Sequence, residues 1–160
     1  IIGLVNAAIE STRAMARGLS PVGAAGGGLV AGLRSLAARG LERFGVHTNF
    51  TTRLEVPLSI DDCSAGHLYR IAQEACTNSV RHGRVTEVQI DLHTYADGLQ
   101  LTISDNGRGF DPHTLRGDGM GLKLMRYRAQ MLHGDLTVDT SDSGGVAVQC
   151  TCSHPRSQVG

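Results

Sequence analysis

Glu74, Asn78 and His82 recur at i, i+4 and i+8, a spacing that aligns side chains on one face of an α-helix. The trio joins a carboxylate able to steer or accept a proton to a neutral amide oxygen suited to Mg²⁺. That ion keeps most of its waters and takes phosphate oxygens as further ligands. Downstream, residues 104–110 read SDNGRGF and residues 117–125 read GDGMGLKLM. Asp105 closes an apolar alternating run, and its carboxylate can accept a hydrogen bond from an exocyclic amine such as that of adenine. Gly107 and Gly109 keep space open beside it, because glycine lets a ligand approach the main chain. Gly119 and Gly121 stand at a helix start, where free N–H groups face an anion. A carboxylate for a polar ring and amides for phosphates together describe a nucleotide site. Each part also has a plainer reading: a solvated helix stripe, an Asx turn at Asp-Asn-Gly, and a surface charge at Lys123.

The elements that must hold these residues follow from hydrophobic period and turn chemistry. Leu4, Ala8 and Met15 fit a helix over 3–17 that stops near Gly18 and Pro21. The stretch GAAGGGL at 23–29 is expected to be a loop; no strand precedes it and its glycines lack the dinucleotide-binding spacing. Leu29, Leu33, Leu36, Leu41 and Phe44 predict one helix, and Phe50, Thr52, Leu54 and Val56 alternate as in a half-buried strand. Asp61 or Asp62 can cap a helix reaching about His82, with a buried stripe of Leu68, Ile71, Ala72, Ala75 and Val80. Val88, Ile90 and Leu92, then Asp97-Gly98, then Leu99, Leu101 and Ile103 predict a hairpin. Residues 111–118, with Pro112 and Gly117, read as a loop able to close over a triphosphate. A helix from about Gly119 to His133, with Leu122, Met125, Ala129 and Leu132 on one face, is expected to stop at Gly134. Strands at 136–140 and 146–152 flank the turn SDSGG. The order implies an α/β (α+β) two-layer sandwich: a mixed, mostly antiparallel sheet covered by helices on one face.

Composition narrows the partners. The 160 residues carry 15 basic and 15 acidic side chains, so no global field argues for nucleic acid or an anionic membrane. Cys63, Cys76, Cys150 and Cys152 lack paired C-x-x-C spacing, which fits reduced thiols in a cytoplasmic protein. Cys150, Cys152 and His154 form C-x-C-x-H, but period-two spacing puts both sulfurs on one strand face, where free cysteine packs as a small hydrophobe. His67, His93, His113 and His133 lack ligand spacing, and no role is expected of them. No apolar run reaches the roughly 20 residues of a membrane span. The chain starts without Met inside an amphipathic pattern, as expected of an excised piece whose parent could be membrane-anchored.

The segments LYRIAQEACTNSVRHG, DNGRGF and GMGLKLM resemble, in order and spacing from about His67 to Cys152, the N box and two glycine boxes of histidine-kinase ATP domains in the GHKL ATPase superfamily. The form RIAQEACTNSVRHG, the short lid and the ARGLSP segment resemble the nitrate-sensor type, which pairs with LuxR-type response regulators. The resemblance implies the Bergerat fold, ATP and Mg²⁺ as cofactors, and γ-phosphate transfer to a histidine. It implies Asn78 as the Mg²⁺ ligand, Glu74 as the catalytic polar residue near the attacking histidine, and Arg81 as a phosphate contact. Asp105 would read adenine beside Gly107 and Gly109, while Gly119, Gly121 and Lys123 would approach the phosphates. Relatives often place Thr or Ser after the glycines of the last turn; here the order is Gly144, Gly145, Val146, Ala147. No histidine precedes His47, so the phosphoacceptor helix of the homodimer is expected outside this chain. The expected domains are 1–22 as the second dimerisation helix and linker, 23–153 as the ATP-binding domain, and 154–160 as a tail. A non-catalytic regulatory ATP-binding module, or another superfamily member such as an anti-sigma serine kinase, is the alternative.

Overall fold

A computed structural model of the chain describes residues 27–82, 84–109 and 119–153. The expected helix over 3–17, the boundary at 22/23, the loop at 111–118 with Phe110 and His113, and the tail with His154 lie outside the described residues. In chain order the elements are α1 (Gly27–Ala38), α2 (Gly40–Phe44), β1 (His47–Leu54), α3 (Asp62–His82), β2 (Glu87–Tyr95), β3 (Gly98–Asp105), α4 (Met120–Met131), β4 (Asp135–Thr140) and β5 (Val146–Ser153). The five strands form one sheet in the order β1-β2-β3-β5-β4. β1 runs parallel to β2, and the other pairs are antiparallel. The chain between β1 and β2 is α3, the crossover that a parallel pair requires.

Alternation along the central strands decides which face is covered. Val88, Ile90, Leu92 and Thr94 of β2, Leu99, Leu101, Ile103 and Asp105 of β3, and Val148, Cys150 and Cys152 of β5 are buried. They meet Leu29, Leu33 and Leu36 of α1, Leu68, Ile71, Ala72 and Ala75 of α3, and Met125 and Ala129 of α4 in one core. The opposite face carries Thr51, Arg53, Asp91, His93, Gln100, Thr102 and Gln149 around a shallow concavity. That polar face is the counterpart of one-sided helix cover. The mixed, mostly antiparallel two-layer sandwich expected from the sequence is therefore the architecture found.

Five local expectations need correction. The β2–β3 hairpin turns at Ala96-Asp97 and not at Asp97-Gly98, because Gly98 already pairs with Tyr95 as the first residue of β3. The 23–29 loop does not extend through its described part, because Gly27 already opens α1. The single helix expected from Leu29 to Phe44 breaks at Arg39: a Cβ on Gly40 would collide with the Thr48 side chain of β1, so the chain must turn there to let the strand pass. Val80 and Leu54 are exposed at 37% and 46%, since each lies at an element end beyond its packing partners. The residue that ends α4 with a positive φ is His133 (φ 51°), one before Gly134. Gly134 is needed for a different reason, a close approach in which a Cβ would strike the Thr151 carbonyl of β5.

Candidate nucleotide site

Asp105 occupies the fourth inward position of β3, after Leu99, Leu101 and Ile103, and is only 4% exposed. A carboxylate at a core position is costly unless donors replace its water. They do here. Its Oδ2 accepts the Ser79 hydroxyl at 2.7 Å, and its Oδ1 accepts the N–H of Gly107 at 3.0 Å and of Val146 at 3.1 Å. Its main-chain oxygen accepts the hydroxyls of Ser141 at 2.7 Å and Ser143 at 2.9 Å. Among the described residues three donors reach the carboxylate, which leaves about one of its four lone-pair sites, on Oδ2, without a partner there.

Glycines shape the surrounding backbone. A Cβ on Gly145 would collide with both the carbonyl and the carboxylate of Asp105, so only glycine lets the β4–β5 turn close on it. Gly109 has φ 78°, and a Cβ there would lie 2.6 Å from the Gly144 carbonyl. The loop after β3 and the β4–β5 turn thus meet beside Asp105. Asn106 anchors the loop from the other side, its Oδ1 accepting the N–H groups of Thr86 and Glu87 at 3.1 and 3.0 Å.

The second half of the site is the crossing of α3 and α4. Glu74 and Asn78 are half-buried on one face of α3. A Cβ on Gly121 would collide with Glu74 Oε1 and stand 3.3 Å from Asn78 Nδ2. The first turn of α4 therefore rests directly on the carboxylate and the amide. That turn has no side-chain cap at Gly119 and no acidic residue, leaving its free N–H groups for an anion. Ser79, the residue after Asn78, joins the two halves through its bond to Asp105.

The structure thus brings Glu74, Asn78 and Gly121 together, and Asp105, Gly107 and Gly109 together. Gly119 caps α4 with φ −56°, and a Cβ there would meet nothing within 4 Å, so the chain itself does not demand glycine at that position. Arg81 and Lys123 are exposed, and no contact among the described residues ties either to Asp105 or Glu74. The side chain of His82 lies outside the described residues. Sequence reasoning missed Ser79, Ser141, Ser143 and Gly145. Ser79 was discoverable from its place beside Asn78, and Gly145 from the double glycine. The two serines of the turn carry no pattern of their own. The departure noted in the last turn also gains a physical account: Val146 supplies a backbone N–H to Asp105, and the hydroxyls arrive earlier in the turn and hold the Asp105 carbonyl.

Residues 63–156 match the family described as histidine kinase-, DNA gyrase B- and HSP90-like ATPase. The chain is similar to the nitrate/nitrite sensor protein NarX of Escherichia coli, 32% identical over 123 residues, covering 75% of this chain and 21% of that protein. It is also similar to the oxygen sensor histidine kinase NreB of Staphylococcus carnosus, 28% identical over 152 residues, covering 92% of this chain and 43% of that protein. Among solved structures, the ATP binding domain of PrrB from Mycobacterium tuberculosis shares the fold, with a TM-score of 0.66 and 21% identity over 79% of this chain and 94% of that one. The chain belongs to the histidine kinase-, DNA gyrase B- and HSP90-like ATPase family. Within it, the chain is an ATP-binding catalytic domain of the sensor histidine kinase kind. It spans under half the length of these two sensor relatives. No helix among the described residues is long and apolar enough to cross a membrane.

Proposed function

We propose that this domain transfers the γ-phosphate of Mg-ATP to a histidine on a dimerisation helix of the same kinase, on the cytoplasmic side, and that the phosphoryl group then passes to a LuxR-type response regulator. The observation that carries the reading is the Ser79–Asp105 hydrogen bond of 2.7 Å. It ties a buried carboxylate with one acceptor site to spare to the helix turn that bears Asn78 and Glu74. A base held at Asp105 would then direct its phosphates towards the α3–α4 crossing. Asp105 reads the adenine amine; Asn78 holds Mg²⁺, which neutralises phosphate charge when bound. The first turn of α4, with Gly119 and Gly121, faces the phosphates, and Arg81 and Lys123 approach them from the surface. Glu74 steers or accepts the proton of the attacking imidazole. Phosphoryl transfer asks mainly for positioning and charge stabilisation, which such a site supplies.

Asp105→Asn is the sharpest test of the base-reading half. The amide keeps an oxygen for the Gly107 and Val146 donors and turns an NH₂ towards Ser79, whose hydroxyl can accept. The same NH₂ faces the adenine amine donor to donor. ATP affinity by calorimetry should fall about tenfold or more while the fold persists. GTP, with a carbonyl in place of that amine, should bind the unmutated chain poorly; equal competition by GTP would end the assignment. For the transfer half, γ-labelled ATP should give acid-labile, base-stable phosphohistidine only when a phosphoacceptor helix is joined to this domain. ATP binding without label in that assembly would favour a non-catalytic regulatory module.

A further inference from the structure

We propose that Ser79 is a positioning residue whose hydroxyl couples the base-reading half of the site to its phosphate half, by holding the last turn of α3 on Asp105; this rests on the reading of those halves given above. Successive residues of an α-helix point about 100° apart, so Asn78 and Ser79 serve different neighbours. Ser79 turns to the sheet and donates to Asp105 Oδ2 at 2.7 Å. Asn78 turns to α4, its Nδ2 standing 3.3 Å from where a Cβ on Gly121 would lie. Along the chain Ser79 and Asp105 are 26 residues apart. Across the fold, one hydrogen bond and one peptide unit join the carboxylate to the amide.

The rest of the frame is held by other groups. From the sheet side, Asp105 Oδ1 takes the N–H groups of Gly107 and Val146, and its main-chain oxygen takes the hydroxyls of Ser141 and Ser143. The first half of α3 is fixed as well, by the Asp61 bonds to Ser64 and by Arg128, whose Nη1 lies 3.3 Å from His67 Nδ1. The far end of α3 differs. Helix ends fray, because the last four carbonyls lack partners within the helix, and here Val80 and Arg81 are exposed to solvent. Ser79 opens that last turn, and Asn78 directly precedes it. A base and a triphosphate are joined covalently in ATP, so both contribute in full only when the two halves of the site stand at a fixed separation. A terminal turn left free would have to be ordered by the ligand, which lowers affinity. The Ser79 hydroxyl orders it beforehand. When that hydroxyl is removed, the two N–H groups on Oδ1 still orient the carboxylate, so the loss falls on the link and not on either half.

The test measures binding to this chain of three ligands: adenosine, tripolyphosphate with Mg²⁺, and ATP with Mg²⁺. Calorimetry reads ATP, and NMR titration reads the two weaker ligands. Ser79→Ala should weaken ATP about tenfold, while adenosine and tripolyphosphate each change by less than about threefold. Ser79→Cys, of nearly the same size and with a weak S–H donor, should bind ATP with an affinity between those of the parent and Ser79→Ala. It also carries the same comparison should the alanine variant not fold. Without ligand, hydrogen exchange at the amides of residues 80–82 should be faster in Ser79→Ala than in the parent. A variant that loses adenosine as strongly as ATP would reduce Ser79 to a donor for the carboxylate and overturn the coupling. Unchanged ATP affinity in a folded Ser79→Ala would overturn it as well, leaving the function intact. A parent chain that binds ATP but neither adenosine nor tripolyphosphate would remove the two-part reading of the site, and this proposal with it.

Discussion

Single glycines in this domain fail in different ways, because what a Cβ would meet differs. At Gly121 the obstacle is the far end of the Glu74 side chain, which can swing aside. Gly121→Ala should therefore leave Tm within a few degrees while displacing Glu74 from its place. The expected result is a loss of phosphoryl transfer out of proportion to any loss of ATP affinity, read by comparing calorimetry with label incorporation. At Gly145 the obstacle is the Asp105 main chain as well as its carboxylate, and backbone cannot swing. Gly145→Ala must open the β4–β5 turn and break the Val146 bond to Asp105, leaving a buried acceptor short of a donor at about 1–3 kcal/mol. Denaturant titration should show that loss, and nucleotide binding should fall with it. If Gly145→Ala kept the parent stability, the tight apposition of turn and carboxylate would be wrong.

At the scale of elements, α3 is the member on which the site depends, since it carries Glu74, Asn78 and Ser79 and packs on α1, α4 and the sheet. Its start is set by Asp61, whose Oδ1 accepts the Ser64 N–H at 2.8 Å and whose Oδ2 accepts the Ser64 hydroxyl at 3.1 Å. Removing such a cap costs about 0.5–2 kcal/mol, so Asp61→Ala should lower stability by that order at neutral pH. The Ser64 N–H bond is also the main cause that holds the Asp61 carboxyl below its ordinary 3.8. A depressed carboxylate contributes stability that is present above the ordinary value and lost as pH falls through the lowered one. The gap between parent and Asp61→Ala should therefore close in acid below 3.8, measured by urea titration at a series of pH values. A gap that stayed constant into strong acid would mean that the carboxylate is not the cap.

For the whole molecule, burial separates the thiols. Cys63 is exposed, whereas Cys76, Cys150 and Cys152 lie in the core. Burial pushes Cys76 and Cys150 up to about 12 and Cys152 up to about 11, so all three remain thiols at neutral pH, unreactive towards alkylating agents that need thiolate. Native protein at pH 8 should therefore label rapidly at Cys63 alone, and the other three should label at the rate of unfolding. Mass spectrometry after timed alkylation reads this out. Fast labelling at Cys150 or Cys152 would show that β5 is not held in the sheet as described. The same experiment with and without ATP would report whether nucleotide slows opening of the whole domain.

What the sequence determined alone was local and periodic. Alternation in 88–92 and 99–103, the helical stripe from Leu68 to Ala75 and the i, i+4 placement of Glu74 and Asn78 all follow from a period of 2 or 3.6 residues, which a chain displays without knowing its neighbours. The inward place of Asp105 was legible for the same reason, as a carboxylate at the end of an apolar alternation. The strand order β1-β2-β3-β5-β4, the parallel pairing of β1, the break at Gly40 and the contact of Gly121 with Glu74 were decided by tertiary structure. Each depends on which element passes close to which, and no period encodes that. Ser141 and Ser143 belong with these, because a hydroxyl has no pattern until the fold brings a carbonyl within 3 Å of it. Arg128 and His67 stand 61 residues apart, and only the antiparallel passage of α4 along α3 gives them to one another.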